Sequence, residues 1–309
     1  MGAISNKLRV EFLRARNEKV VSLRAMAEAK KAAEERHSKN NETLEGIKNQ
    51  DPLFVAYAWM NHLLHDLAED ISAMPQMGPF FDIIDKAKEE YWPAYPPMSP
   101  VTMSYFNQWS YFDLKYGQDK ETIASVLFDL RDILRLPDEF ALLLRTAMSS
   151  RMGIFEHRGY DGDKLLLWEL VTKKEISAVC SSGYRGQEGE LWFVRTLAAP
   201  TSEDSYHLCI TTPYVLLSQS ARDWIGFFER NLIRAGNEDF EKRLFEFMKY
   251  GPSGKRLYWH EYIMQAYANF EPGHIYLTGL PDVASSRPHV PSHRNKSGHV
   301  LLPKNELRT

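Results

Sequence analysis

The stretch that decides the fold runs from Arg151 to Ser218 and reads RMGIFEHRGYDGDKLLLWELVTKKEISAVCSSGYRGQEGELWFVRTLAAPTSEDSYHLCITTPYVLLS. Five short apolar runs alternate in it with turns rich in Gly and Asp: MGIFEH, KLLLWELV, KEISAVC, ELWFVRTLA and YHLCITT. Runs of this length and spacing predict five strands of a small all-β unit. Asp161-Gly162 supplies the backbone freedom that a two-residue hairpin turn requires. Pro213 indicates the end of the last strand, because proline cannot donate to a central ladder.

Five short and strongly bent strands favour a barrel of the SH3-like or OB-like kind over a sandwich. Helical sequence lies on both sides of this unit, so we predict an α+β chain, a mainly helical body with an embedded small five-stranded β-barrel. Trp168 lies in the middle of a predicted strand and is either a core residue or a surface platform. The residues expected in the barrel core are Ile154, Leu165, Leu167, Val179, Trp192, Val194, Leu208 and Ile210.

The composition is that of an ordinary globular protein, with 309 residues of which 44% are hydrophobic and 26% charged. The two cysteines, Cys180 and Cys209, fall in predicted strands, which indicates buried reduced thiols and a cytoplasmic location. No apolar run is long enough to span a membrane, and the N-terminus has no signal core. Residues 1–31 carry a charge of +5 and residues 283–309 carry +4, on a body of −12. Such basic ends can bind a polyanion, or fold back on the body or on a neighbouring subunit.

Composition and helix-breaking residues divide the chain into five predicted segments. These are a basic helical arm and linker (1–50), a helical domain with an aromatic and Pro-rich wrap (51–150), the barrel (151–218), C-terminal helices (219–280) and a basic extended tail (281–309). Residues 5–37 contain no Pro or Gly and predict one long helix, most simply an arm docked loosely on the body. Residues 255–270 predict another helix, and the run IYLTGL after it predicts a last strand.

The helix that opens at Asp51-Pro52 carries a polar group opposite its apolar face. The group consists of His62, His65, Asp66 and Glu69. Two histidines three residues apart with nearby carboxylates can hold Zn²⁺, Mn²⁺ or iron, and His260 and Glu261 of another helix could add ligands. A face opposite the core is usually solvated, however, and one helix supplies few ligands. A solvated face is therefore the favoured interpretation, with a metal site as the alternative.

Residues 91–116 hold nine aromatic residues and four prolines. Nine exposed rings would form a large apolar patch, so a segment wrapped over the body with its rings buried is favoured. The alternative is an aromatic groove for a peptide, a base or a partner subunit. The binding residues of that groove would be Trp92, Tyr95 and Trp109.

The loop Gly183–Gly189 is the best candidate for a binding surface in the sequence. Its three glycines let the backbone turn sharply and present Tyr184 and Arg185, residue types that are enriched where partners bind. The alternative is that Tyr184 packs back on the barrel and Arg185 is merely solvated.

The sequence contains no phosphate-binding loop, no nucleophile elbow and no Cys-x-x-Cys pair, so no catalytic residue and no cofactor is predicted. The leading hypothesis is a non-enzymatic interaction or adaptor protein that binds a protein partner or self-associates. A nucleic-acid-associated protein that uses the basic arm, the tail and the Gly183–Gly189 loop is the alternative, although the acidic body counts against it. A metal-dependent hydrolase is the second alternative.

Overall fold

The computed structural model describes residues 1–18, 31, 45–91, 100–200, 206–232, 240–250, 267–286, 293–294 and 300–301. The chain divides into two compact units, each made of two separate stretches. Unit 1 contains residues 1–83 and 114–148, and unit 2 contains residues 84–113 and 149–309. The division into five segments stays a prediction from composition.

Helices and strands follow one another in an α+β chain, as predicted. The helices are α1 (Ala3–Glu18), α2 (Pro52–Ser72), α3 (Gly78–Tyr91), α4 (Met103–Gln108), α5 (Ile123–Leu134), α6 (Asp138–Ser149), α7 (Ala221–Leu232) and α8 (Phe240–Tyr250). The strands are β1 (Met152–Asp161), β2 (Lys164–Glu169), β3 (Glu175–Cys180), β4 (Leu191–Ala198), β5 (Tyr206–Cys209), β6 (Tyr214–Leu217), β7 (Tyr267–Glu271), β8 (His274–Thr278), β9 (His293–Arg294) and β10 (Val300–Leu301). Within the described ranges, no helix is both long and apolar enough to cross a membrane.

A buried carboxylate holds the start of α1 in unit 1. Glu121 accepts hydrogen bonds from the backbone N–H of Ile4 at 2.8 Å, from the backbone N–H of Ser5 at 3.0 Å and from the Ser5 hydroxyl at 2.5 Å. Free N–H groups at a helix N-terminus favour a negative charge, which explains the pairing. A side chain at Gly2 would collide with the Glu121 carboxylate. Backbone and side-chain atoms at the N-terminus of α1 therefore both bind the Glu121 carboxylate within unit 1.

The expectation of a loosely docked arm is wrong for the first turns of α1, because Ile4 and Leu8 are buried. The rest of the predicted helix, from residue 19 to residue 37, lies outside the described residues apart from Lys31. Asp119 accepts from the backbone N–H of Ala3 at 2.7 Å. The cap of α5 is Thr122, whose hydroxyl accepts from the Ser125 N–H at 3.1 Å.

An eight-stranded mixed sheet organises unit 2, in the order β1-β2-β3-β5-β4-β6-β8-β7. β1 also pairs with β4, so the pairings of β1, β2, β3, β5 and β4 return to their start and form a ring of five strands. β6, β8 and β7 continue outward from β4. The fifth strand ends before Pro213 and IYLTGL lies largely in β8, as predicted, but β6 after Pro213 was not predicted. One prediction is wrong here, because Tyr267–Glu271 is a strand rather than part of a helix.

Burial agrees with the predicted alternation in β2 and β4, whereas in β1, β3 and β5 a neighbour of the predicted residue lies in the core cluster. Seven of the eight predicted core residues are buried, whereas Val179 is half-buried and its neighbour Ala178 occupies the core position. A one-residue shift along a strand exchanges its two faces, which accounts for the error. The core cluster consists of Phe155, Leu165, Leu167, Ala178, Trp192, Val194, Cys209 and Val215.

A buried group of charges, here called the charge cluster, anchors the aromatic segment within unit 2. Arg195 on β4 donates from Nη1 to Asp113 Oδ2 at 2.7 Å, and from Nε and Nη2 to the hydroxyl and carbonyl of Ser150, both at 2.8 Å. Lys249 Nζ lies 3.1 Å from Asp113 Oδ1 and forms an ion pair with it, without the geometry of a hydrogen bond. Trp109 in the same segment is buried, so its ring is part of the core. The described rings from Tyr105 to Phe112 are thus buried, and a wrap over the body stays a prediction.

Candidate binding site on the sheet of unit 2

The candidate site is built where the loop Gly183–Gly189 folds back onto the sheet. Strand register aligns Trp192 of β4 with Val215 of β6, and Val215 with Tyr276 of β8. These three side chains therefore share one face of the sheet. The two rings on this face, Trp192 and Tyr276, lie beside Tyr184 of the loop and His274 of β8. We call these four residues the aromatic cluster.

Tyr184 packs back onto the sheet, as the alternative interpretation of the loop expected. Its ring stacks on His274 with centroids 4.0 Å apart and lies 5.2 Å from the Trp192 ring. The Tyr184 hydroxyl donates to both oxygens of Glu190 at 3.0 Å, and Trp192 Nε1 donates to Glu190 Oε2 at 2.8 Å. Two aromatic donors thus fix the orientation of the Glu190 carboxylate.

Arg185 is exposed, but the backbone beside it is held firmly. Its carbonyl accepts from the Tyr160 hydroxyl at 2.6 Å and from His157 Nε2 at 3.1 Å. The His157 Nδ1 accepts from the Gly159 N–H, which places the ring proton on Nε2. The Arg185 guanidinium lies 4.7 Å from the centre of the Tyr160 ring. Gly186 completes the turn with a positive φ of 65°, and a side chain there would overlap the Trp192 ring.

Trp168 is a half-buried surface platform on β2. The guanidinium of Arg158 lies over its ring at 4.2 Å from the centroid and also donates to Glu156 at 3.2 Å. Of the other aromatic residues singled out by sequence, Trp109 is buried, and Trp92 and Tyr95 lie outside the described residues. Of the predicted binding residues that the structure describes, Tyr184 packs on the sheet, Arg185 is exposed on the same loop, and Trp168 lies on β2.

His274 is a buried polar residue inside the aromatic cluster. Only 7% of it is exposed, and its ring contacts Tyr276 edge-on with centroids 4.7 Å apart. Among the described residues, neither ring nitrogen has a hydrogen bond of good geometry. Burial lowers the pKa of His274, although the Glu190 and Glu271 carboxylates and the Pro272 backbone oppose this shift. Burial therefore favours the neutral imidazole.

A cavity of about 520 Å³ opens beside this cluster, at the first residue of β4 and the last residues of β6. Its size is typical of ligand pockets. The lining residues are Glu156, Gln187, Gly189, Glu190, Leu191, Val215, Leu216, Leu217, Gln219, Ser220, Ala221 and Tyr276. This lining combines two carboxylates and two side-chain amides with an aliphatic wall, and none of these described residues is basic. The cavity is thus acidic and amphipathic.

The sequence did not single out Glu156, Glu190, His274 or Tyr276. The available signal was weak: Glu156 interrupts the apolar run MGIFEH, and Glu190 begins the run ELWFVRTLA. Their meeting at one cavity depends on the pairing of β1 with β4, which no local pattern encodes.

The histidines and carboxylates proposed as metal ligands lie on α2 in unit 1. His62 and Asp66 are half-buried, and His65 and Glu69 are exposed. In the part of the chain that the structure describes, no group of three or more His, Cys, Asp or Glu side chains is arranged to hold a metal ion. His260 and Glu261 lie outside the described residues. The metal interpretation stays a prediction from sequence alone.

Comparison of the chain with known protein families, with curated proteins and with solved structures gives no match. The function must therefore be inferred from the geometry of the site itself.

Proposed function

We propose that this chain is a non-enzymatic interaction protein, and that the acidic cavity of unit 2 binds a Lys or Arg side chain of a protein partner. The observation that carries the proposal is the lining of that cavity. Glu190 supplies negative charge, and Glu156 supplies a second carboxylate that is shared with Arg158. Leu191, Val215 and Leu217 supply an aliphatic wall. A basic side chain has a matching chemistry, since its methylene stem covers apolar surface and its head forms charge-assisted hydrogen bonds with carboxylates.

The site is preorganised for such a ligand. The Tyr184 and Trp192 donors hold the Glu190 carboxylate, so binding need not order that side chain. Tyr276 lines the cavity and offers a ring to a cation, an attraction that strengthens as water is excluded. His274 adjoins Tyr276, and among the described residues neither of its ring nitrogens has a hydrogen bond of good geometry, which costs free energy in a buried polar group.

We further propose that the ring of five strands acts as a small barrel of the SH3-like or OB-like kind. Such barrels bind ligands on surfaces formed by strands and their connecting loops. The Gly183–Gly189 loop and the cavity occupy such a position in unit 2. The partner is then a separate protein that presents a basic residue on an extended segment, and self-association through the basic tail at 283–309 is an outcome of the test below.

A nucleic-acid partner is the second candidate, because two exposed guanidinium groups stack on rings. Arg185 lies over Tyr160, and Arg158 lies over Trp168. Stacking pairs of this kind are used for single-stranded nucleic acid. However, Glu156 already accepts from Arg158, and the adjoining cavity carries two carboxylates, which would repel phosphate. The charge at the site therefore favours a cationic ligand.

A fixed-position peptide library tests the proposal. Hexapeptides with Lys, Arg, norleucine or Glu at the central position are incubated with the full-length protein. We expect binding of the Lys or Arg set alone. Glu190→Gln should weaken it by roughly tenfold or more, equivalent to about 1.4 kcal/mol for a desolvated charge pair. Glu188→Gln is the matched control, since Glu188 is an exposed loop glutamate outside the cavity lining and should leave affinity unchanged.

Equal binding of the norleucine and Lys sets, or an unchanged affinity of Glu190→Gln, would refute the proposed site. Salt-sensitive binding of a single-stranded oligonucleotide that is lost in Arg185→Ala would instead favour the nucleic-acid candidate. A concentration-dependent dimer that the Lys peptide dissociates would identify a second copy of the chain as the partner.

A further inference from the structure

The two cysteines of the chain lie side by side on neighbouring strands of unit 2. β3 and β5 pair in parallel, and their register places Cys180 directly opposite Cys209. Neighbouring strands are about 4.8 Å apart, and disulfides join Cα atoms that are about 4.4–6.8 Å apart. Residues in register point to the same face of a sheet. The register therefore places the two thiols on one face of neighbouring strands, at a strand spacing within the range of Cα separations that disulfides join.

The two thiols differ in exposure and in acidity. Cys180 is half-buried, whereas Cys209 is fully buried. A hydrogen bond from the Cys209 thiol, with further bonds from Ser182, lowers the pKa of Cys180 to about 7 against the opposing effect of burial. Ser182 Oγ lies 3.3 Å from Cys180 Sγ. The same pairing and burial raise the pKa of Cys209. Cys180 is thus the more exposed and the more acidic of the two thiols.

We propose that Cys180 and Cys209 form a dithiol site that is oxidised by hydrogen peroxide or a small organic hydroperoxide to an intramolecular disulfide. The Cys180 thiolate attacks one peroxide oxygen, the O–O bond breaks, and the leaving hydroxide (or alkoxide) takes up a proton. Cys180 is then a sulfenic acid. Cys209 attacks its sulfur, the S–O bond breaks, and the departing oxygen leaves as water with the Cys209 proton. Overall, two thiols lose two electrons and one peroxide gains them.

The position of this site gives the oxidation a local consequence. Cys180 packs against the same core cluster as Tyr184 and Tyr276. Ser182, its hydrogen-bond partner, donates at 2.9 Å to the carbonyl of Gly273, the residue before His274. A disulfide would therefore form next to the aromatic cluster. The chemistry itself does not depend on the proposed partner site, so either can fail without the other.

Intact mass spectrometry of the full-length protein tests the proposal. The protein is treated with a few equivalents of hydrogen peroxide, quenched with catalase, unfolded and alkylated. We expect a loss of about 2 Da, no alkylation, and a peptide that links the two cysteines. Cys209→Ser should stop at a Cys180 sulfenic acid that dimedone traps, and Cys180→Ser should leave Cys209 reduced in the folded protein.

Three results would overturn the proposal, and all come from the unmodified sequence. They are two alkylatable thiols after treatment, an addition of about 32 Da that marks a sulfinic acid on Cys180 with Cys209 still free, or a disulfide between two chains. Because none of these requires a variant to fold, poor expression of either serine variant leaves the test intact.

Discussion

Replacing Asp113 by alanine tests how strongly the charge cluster stabilises unit 2. Asp113 faces two cations, with Arg195 Nη1 at 2.7 Å and Lys249 Nζ at 3.1 Å. The exposed fraction is 1% for the Arg195 side chain and 3% for the Lys249 side chain. Loss of the carboxylate leaves both cations buried without their counter-charge, so the change removes more than one hydrogen bond.

The expected loss in the free energy of unfolding is about 3–5 kcal/mol, the usual cost of breaking a buried ion pair by removing one partner. That is a large part of the roughly 5–15 kcal/mol by which domains are stable. Asp113→Asn keeps the volume and one acceptor oxygen for Arg195, and should cost about 1.5–3 kcal/mol, the worth of a hydrogen bond to a charged group. Asp113→Ala combined with Lys249→Met should cost less than the sum of the two single changes, because one uncompensated charge has been removed.

Urea unfolding followed by tryptophan fluorescence measures these costs. Six of the seven tryptophans belong to the residue ranges of unit 2, so the signal reports mainly on that unit. Asp163→Ala is the control, since the Asp163 side chain is 85% exposed in a hairpin turn, and it should change the stability by no more than about 0.5 kcal/mol. A loss below about 1 kcal/mol in the free energy of unfolding of Asp113→Ala would refute the reasoning, because the buried ion pairs of Asp113 would then contribute little to stability. Strict additivity with Lys249→Met would show that the cations do not share the carboxylate.

Two further changes test one feature in each unit. Glu121→Ala should raise the amide hydrogen-exchange rates of Ile4 and Ser5 and cost unit 1 about 1–3 kcal/mol, because buried donors lose their acceptor; unchanged exchange would contradict the capping role. The pKa of His274 is lowered from its ordinary value of 6.5, so as the pH falls the unfolded chain is protonated at a higher pH than the folded protein. The contribution of neutral His274 to the free energy of unfolding is therefore complete above pH 6.5 and is lost as the pH falls below it. The thermal midpoint should therefore drop as the pH falls from about 7.5 to about 5.5. His274→Phe should make that drop smaller. The part of the drop that remains comes from His207, whose pKa is also lowered by burial. An identical pH dependence in His274→Phe would rule out this contribution.

The strands of the ring were predictable because each combines apolar alternation with a defined turn. Asp161 pairs with Lys164, so the two-residue turn consists of Gly162 and Asp163, one residue later than the Asp161-Gly162 step indicated. β6 was missed because its four residues follow Pro213 and form a continuous apolar run instead of an alternating one. β7 was taken for helix because YANFE has no strong strand preference of its own. Pairing with β8 makes it a strand, which is a case of tertiary contacts overriding local propensity.

The candidate site was only half predictable. Glycine spacing identified the Gly183–Gly189 loop, since positive φ values there are a local requirement. The meeting of Glu156 with Glu190 depends on strand pairing, and the pairing of Asp113 with Arg195 joins residues 82 positions apart. No periodicity within one element encodes such contacts. The sequence therefore indicated which loop to consider but not the acidic cavity beside it.

The discontinuous units have a consequence for the chain during its synthesis. Residues 84–113 of unit 2 are made between the two stretches of unit 1, and Asp113 emerges 82 residues before Arg195. At bacterial and eukaryotic translation rates of about 5–20 residues per second, this delay is roughly 4–16 s. Throughout it, the ring of Tyr105 lacks the Tyr214 ring of β6, which it contacts edge-on in the folded protein. Residues 101–113 are thus an aromatic segment of the nascent chain that waits for its strand partner and offers a site to a chaperone that recognises aromatic sequence.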